Sequence, residues 1–111
     1  MKTKYTVDFF IKKLKAIPED KWITGKYGSG NKRCALGHCG ATESHGMTTM
    51  SNELEDLLKS TVRSKPHIIN DGKSTVFKQK TPKARILAAL YEAKKILKKR
   101  PKEVEDVRTK N

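Results

Sequence analysis

Apolar positions recur at helical spacing in three parts of this chain, and a fourth part is rich in β-branched residues. Phe10, Leu14 and Ile17 fall at i, i+4 and i+7 with lysines on the other face, and Thr6 ahead of them has the hydroxyl of an N-cap. Pro18 stops that helix and opens a helical turn through Glu19, Asp20 and Lys21, whose early acids complement the helix dipole. Trp22 is then expected to close over the first helix as a core anchor. Leu54, Leu57 and Leu58 form the stripe of a short amphipathic helix capped by Ser51. Thr81-Pro82 is the clearest helix start, a threonine cap followed by proline in the first turn. Ile86, Leu90, Ala93 and Leu97 then face inward, joined by Leu87 and Ala89, until Pro101 ends the run.

Between these helices the pattern changes. Gly25, Gly28 and Gly30 with Ser29 and Asn31 make a turn region, from which Asn31 is expected to cap a helix over residues 32–42 burying Ala35, Leu36 and Cys39. Gly37 and Gly40 are poor helix formers, which points to close approach of another backbone. Gly46 falls in the loop that follows. Lys65-Pro66 breaks the helical pattern. His67-Ile68-Ile69-Asn70 and Ser74-Thr75-Val76-Phe77, on either side of Asp71-Gly72, read as a small hairpin or an extended loop. The expected fold is therefore mainly α: a compact four-helix domain over residues 1–100, with that hairpin or loop between helices 3 and 4. Residues 101–111 read as a charged, frayed tail.

The length of 111 residues and 35% hydrophobic content suit one small domain with a modest core. No apolar run approaches the roughly 18 residues of a membrane span, and the N-terminus lacks the apolar region of a signal peptide. The expectation is a protein with no membrane contact, in the cytoplasm of a bacterial cell or a phage-infected host. Cys34 and Cys39 lie five positions apart, off a common helix face, so they read as free thiols of a reducing compartment.

Charge changes the picture most. The net charge is +13, and residues 34–60 are net acidic between basic flanks. Basic segments on both sides of an acidic one can fold into a basic face whose partner is nucleic acid, another polyanion or an acidic protein surface. The plainer alternative is a lysine-rich surface that serves solubility alone.

The candidate chemistry concentrates in residues 22–40, WITGKYGSGNKRCALGHCG. Lys26, Lys32 and Arg33, set among mobile glycine amides before a helix, suit an anion, although G-x-x-x-x-G-K-[ST] is not met; a loop with no ligand is the alternative. On the last helix Lys94, Lys95, Lys98, Lys99 and Arg100 form a second basic set, and Tyr5, Tyr27 and Tyr91 offer rings to stack on bases. No base-reading motif is present, so binding would be to backbone and salt-sensitive; the alternative is a solvated helix face. Cys34 beside Lys32 and Arg33 is a candidate nucleophile, with His67 as base and Asn70 or Asp71 as orienter, against an ordinary buried thiol. Cys34, His38, Cys39 and His45 are candidate metal ligands within twelve residues, but neither C-x-x-C nor H-x-x-x-H occurs, and a core cysteine with two surface histidines is the alternative. No cofactor is implied.

Trp22-x-x-Gly25, then Arg33-Cys34-Ala35-Leu36-Gly37-His38, then Asn70-Asp71 and a closing amphipathic helix with Ala88-Ala89-Leu90 resembles a family of small uncharacterised bacterial and phage proteins, a domain of unknown function, over residues 8–97. His38 departs from the alanine of that pattern, and the basic tails lie outside it. The resemblance implies a mainly helical domain with the tryptophan and the cysteine helix in its core, and no activity. The leading functional reading is a non-enzymatic basic module that engages nucleic acid or another polyanion through phosphate contacts. The second is an accessory or structural protein docking on an acidic protein surface, and the third a small cysteine-dependent hydrolase.

Overall fold

The first helix, α1 (Val7–Lys15), starts at Thr6, whose hydroxyl accepts the Phe9 N–H, and it buries Phe10, Ile11 and Leu14. The computed structural model describes residues 5–99. After α1 come a 3-10 turn (Glu19–Lys21), the strands β1 (Gly28–Ser29) and β2 (Lys32–Arg33), and the helices α2 (Ala35–His38), α3 (Thr49–Thr61), α4 (Pro66–Asn70) and α5 (Pro82–Lys99). The fold is mostly helical, with five helices rather than four and one two-stranded antiparallel sheet. The other four helices all pack on α5. A single cluster of buried residues joins Phe10 and Leu14 of α1, Trp22, Leu54 and Leu58 of α3, Ile69 of α4, and Ile86, Ala89, Leu90 and Ala93 of α5. Trp22 anchors it as expected, and its indole N–H donates to the Ile17 carbonyl (3.4 Å).

Three expectations are corrected. The hairpin lies in the glycine-rich segment, pairing Gly28 with Arg33 and Ser29 with Lys32, and Gly30 takes a φ of +62° at the first position of its two-residue turn. Residues 67–70, expected as strand, lie in α4 instead. Lys65-Pro66 is a helix start, because proline is preorganised for the first helical turn and Pro66, Ile69 and Asn70 bury one face. The segment from Ser74 to Phe77 forms no strand pairing among the described residues; the Ser74 hydroxyl accepts the N–H groups of Val76 (3.0 Å) and Phe77 (3.1 Å) instead.

Two caps move as well. Cys34, not Asn31, is the N-cap of the cysteine helix, which is a single turn because Lys32 and Arg33 are spent in β2. Thr48 rather than Ser51 caps α3, and Ser51 sits at the third helical position of a capping box with its hydroxyl accepting the Thr48 N–H (2.7 Å). Thr81 accepts the Ala84 N–H as the start of α5 requires. No described helix is long and apolar enough to cross a membrane. The tail over residues 101–111 and Arg100 lie outside the described residues.

Candidate functional site

A one-turn helix cannot hold its own position, and α2 is fixed from outside. The Cys34 thiol accepts the Gly37 N–H (3.4 Å), the Cys34 N–H donates to the Tyr27 carbonyl (3.1 Å), and the Ala35 N–H donates to Oδ1 of Asn70 (3.1 Å). Asn70 is fully buried, and its Nδ2 donates to the Ile23 carbonyl (2.9 Å) and to Asp71 Oδ1 (3.0 Å). The same Asp71 oxygen accepts the Gly25 N–H (3.0 Å), and Glu43 Oε2 accepts the Tyr27 N–H (2.8 Å). Two carboxylates, Asp71 just after α4 and Glu43 in the loop after α2, thus pin the start of the glycine-rich segment.

These contacts leave an open cavity of about 260 Å³, lined by Lys26, Tyr27, Cys34, Glu43, His67 and Asp71 together with Gly25. Cys34, His67 and Asp71, expected from sequence as nucleophile, base and orienter, therefore share one cavity. Asn70, the other expected orienter, does not line it, because both ends of its amide are used in tying α2 and the chain at Ile23 to α4. No hydrogen bond joins Cys34 to His67 among the described residues. Burial is the largest influence on the Cys34 thiol and pushes it above the ordinary 9.0; the negative charge of Asp71 adds to this, while hydrogen bonds from Gly37 and Leu36 act against it. At neutral pH Cys34 is a buried, protonated thiol.

The four candidate metal ligands do not converge. Both cysteines are free and buried, and burial pushes Cys39 up to about 12. His38, expected at the surface, is half-buried: its ring lies 4.8 Å from the Trp22 indole and its Nε2–H donates to the Lys21 carbonyl (2.9 Å). Desolvation lowers its basicity most, and the charges of Arg33 and Lys13 lower it further. His45 is exposed, its Nδ1 hydrogen-bonded to Ser44 (3.0 Å). Among the described residues no group of three or more His, Cys, Asp or Glu side chains is placed to hold a metal ion.

The candidate cations divide into two groups. Lys26, Lys32 and Arg33 are exposed on the hairpin and its approach, and none of them forms an ion pair among the described residues. On α5, Lys98 and Lys99 are exposed, whereas Lys94 pairs with Asp8 of α1 (2.8 Å) and Lys95 with Glu92 (3.9 Å). The loop amides at Gly25 and Tyr27 already donate to carboxylates, so an anion here would meet side chains rather than a backbone cradle. Sequence reasoning missed Glu43, which sits in an acidic stretch with nothing local to mark it. It also missed Lys13, whose charge reaches His38 and Cys39 only once α1 is packed.

Comparison of the chain with protein-family models, with curated proteins and with solved structures returns no match.

Proposed function

We propose that this protein is a non-enzymatic basic module that engages the phosphate backbone of nucleic acid through side-chain cations. The observation that carries this reading is the set Lys26, Lys32 and Arg33, exposed on the hairpin and its approach and free of ion pairs among the described residues, with the base of the hairpin hydrogen-bonded to Asp71 and Glu43. Cations held on a short two-stranded ribbon lose little freedom on meeting a phosphate, and lysine makes few geometric demands, so contact is indifferent to sequence. Lys98 and Lys99 on α5 are a second exposed basic pair.

Binding of the purified protein to a random-sequence duplex and a single strand, measured from about 50 to 300 mM salt, tests the reading. Affinity falls steeply with salt, and the Lys32→Ala/Arg33→Ala pair reduces the log–log salt slope by about two. Absence of binding at the lowest salt overturns it and shifts attention to an acidic protein surface as partner.

A second reading is favoured by one observation, the convergence of Cys34, His67 and Asp71 on the same cavity. It is thiol-dependent hydrolysis, and the protonated, 4% exposed thiol of Cys34 weighs against it. Under this reading Cys34 is alkylated much faster than Cys39 near neutral pH; equally slow rates at both thiols sink it.

A further inference from the structure

A second cavity, of about 240 Å³, lies between the turn that joins α3 to α4 and the irregular segment after α4. Its chemistry differs from that of the cysteine cavity. Arg63, Lys73, Ser64, Ser74 and Thr75 supply two cations and three hydroxyls to its lining, and no carboxylate lines it. Neither cation forms an ion pair among the described residues. Ile68 and Phe77 add an apolar floor, with Phe77 otherwise packed in the core.

Three local features give this lining a direction. Ser74 Oγ already accepts two backbone N–H groups, so the capacity left to that hydroxyl includes donation of its proton. Arg63 is the one non-glycine described residue with a positive φ (61°); it stands just past the end of α3, where glycine is the usual occupant. The fold therefore carries a long cationic side chain where a residue without one would be less strained. The partial negative charge at the end of α3 is reduced locally. The Leu57 carbonyl accepts the hydroxyls of Ser60 and Thr61, and the Leu58 carbonyl accepts the N–H groups of Val62 and Ser64.

We propose that this cavity binds a phosphate monoester carrying a small apolar group. The guanidinium of Arg63 and the ammonium of Lys73 meet the dianion, the hydroxyls of Ser64, Ser74 and Thr75 donate to its oxygens, and Ile68 and Phe77 face the organic portion. This site uses none of the cations assigned to nucleic-acid contact, so the two readings stand or fall separately.

The test is an NMR titration of the full chain at low salt with phenyl phosphate and with inorganic phosphate. Phenyl phosphate gives saturable shifts at the amides of Ser64 and of residues 74–77, at lower concentration than inorganic phosphate does. Arg63→Gly weakens it about tenfold or more, the loss expected for one charge-assisted contact, and Lys73→Gln weakens it too. Glycine suits the left-handed backbone at position 63, so this variant melts no lower than the parent and loss of binding cannot be put down to misfolding. Lys32→Ala/Arg33→Ala leaves the affinity unchanged. Shifts that do not saturate, equal affinity for the two probes, unaltered binding by Arg63→Gly, or equal weakening by the hairpin pair each overturn the proposal.

Discussion

Asn70 accepts the Ala35 N–H at 3.1 Å across 35 residues of sequence, so the side chain at the end of α4 supplies a partner that the first turn of α2 lacks. Its other end donates to the Ile23 carbonyl, which makes one amide the tie between three segments. Asn70→Ala leaves both groups without their partners, and at about 1–3 kcal/mol for each group the loss is roughly 2–6 kcal/mol. Asn70→Asp keeps the acceptor for Ala35 but faces Ile23 with an oxygen and stands beside Asp71, so it is destabilised as well. Urea unfolding midpoints of the two variants measure this. A loss under about 0.5 kcal/mol for both contradicts the role given to Asn70.

Gly37 is required by close approach. A Cβ at this position would overlap the Tyr27 carbonyl oxygen and meet the Arg33 side chain, and that carbonyl is fixed by the Cys34 N–H. In an unconstrained helix Gly→Ala gains up to about 1 kcal/mol, so the sign of the change is diagnostic. Gly37→Ala is expected to lower stability by about 1–3 kcal/mol through overpacking and to lower the melting temperature with it.

Arg85 is a buried guanidinium that donates to three carbonyls, from Nε to Ile69 (3.1 Å), from Nη2 to Asn70 (2.8 Å) and from Nη1 to Gln79 (2.8 Å). It closes the end of α4 onto α5. Lysine retains the charge but cannot reproduce the planar fork, so Arg85→Lys is expected to cost about 1–3 kcal/mol in chemical denaturation. A variant as stable as the parent would show the fork to be dispensable.

His38 makes stability depend on pH. Desolvation against Trp22 lowers its affinity for a proton below the ordinary 6.5, so the unfolded chain takes up that proton first as pH falls. Its contribution to stability is present in full above pH 6.5 and is lost as pH drops through the lowered value. Urea midpoints compared at pH 7.5 and pH 5 should fall for the parent. They should fall less for His38→Gln, whose amide N–H can still donate to the Lys21 carbonyl.

The sequence by itself determined α1, α3 and α5, the place of Trp22 in the core, and two unbridged thiols. Those features rest on interactions within about four residues: Phe10 with Leu14, Leu54 with Leu58, Ile86 with Leu90, and threonine caps at positions 6 and 81. Local propensity misled where a distant partner decided the outcome. Ile68 and Ile69 favour strand in isolation, yet residues 66–70 are helical because Pro66 starts the turn, Ile69 enters the core and Asn70 reaches Ile23 and Ala35. The hairpin formed in the glycine segment because Gly30 can adopt positive φ there, while the base of that segment is bound by Asp71 and Glu43. The residue types of Cys34, His67 and Asp71 marked them in the sequence as a set, but their meeting around one cavity, and the place of Glu43 beside them, were decided by the tertiary structure. Gly25 and Asp71 are 46 positions apart, and no periodicity along the chain records a hydrogen bond of that span.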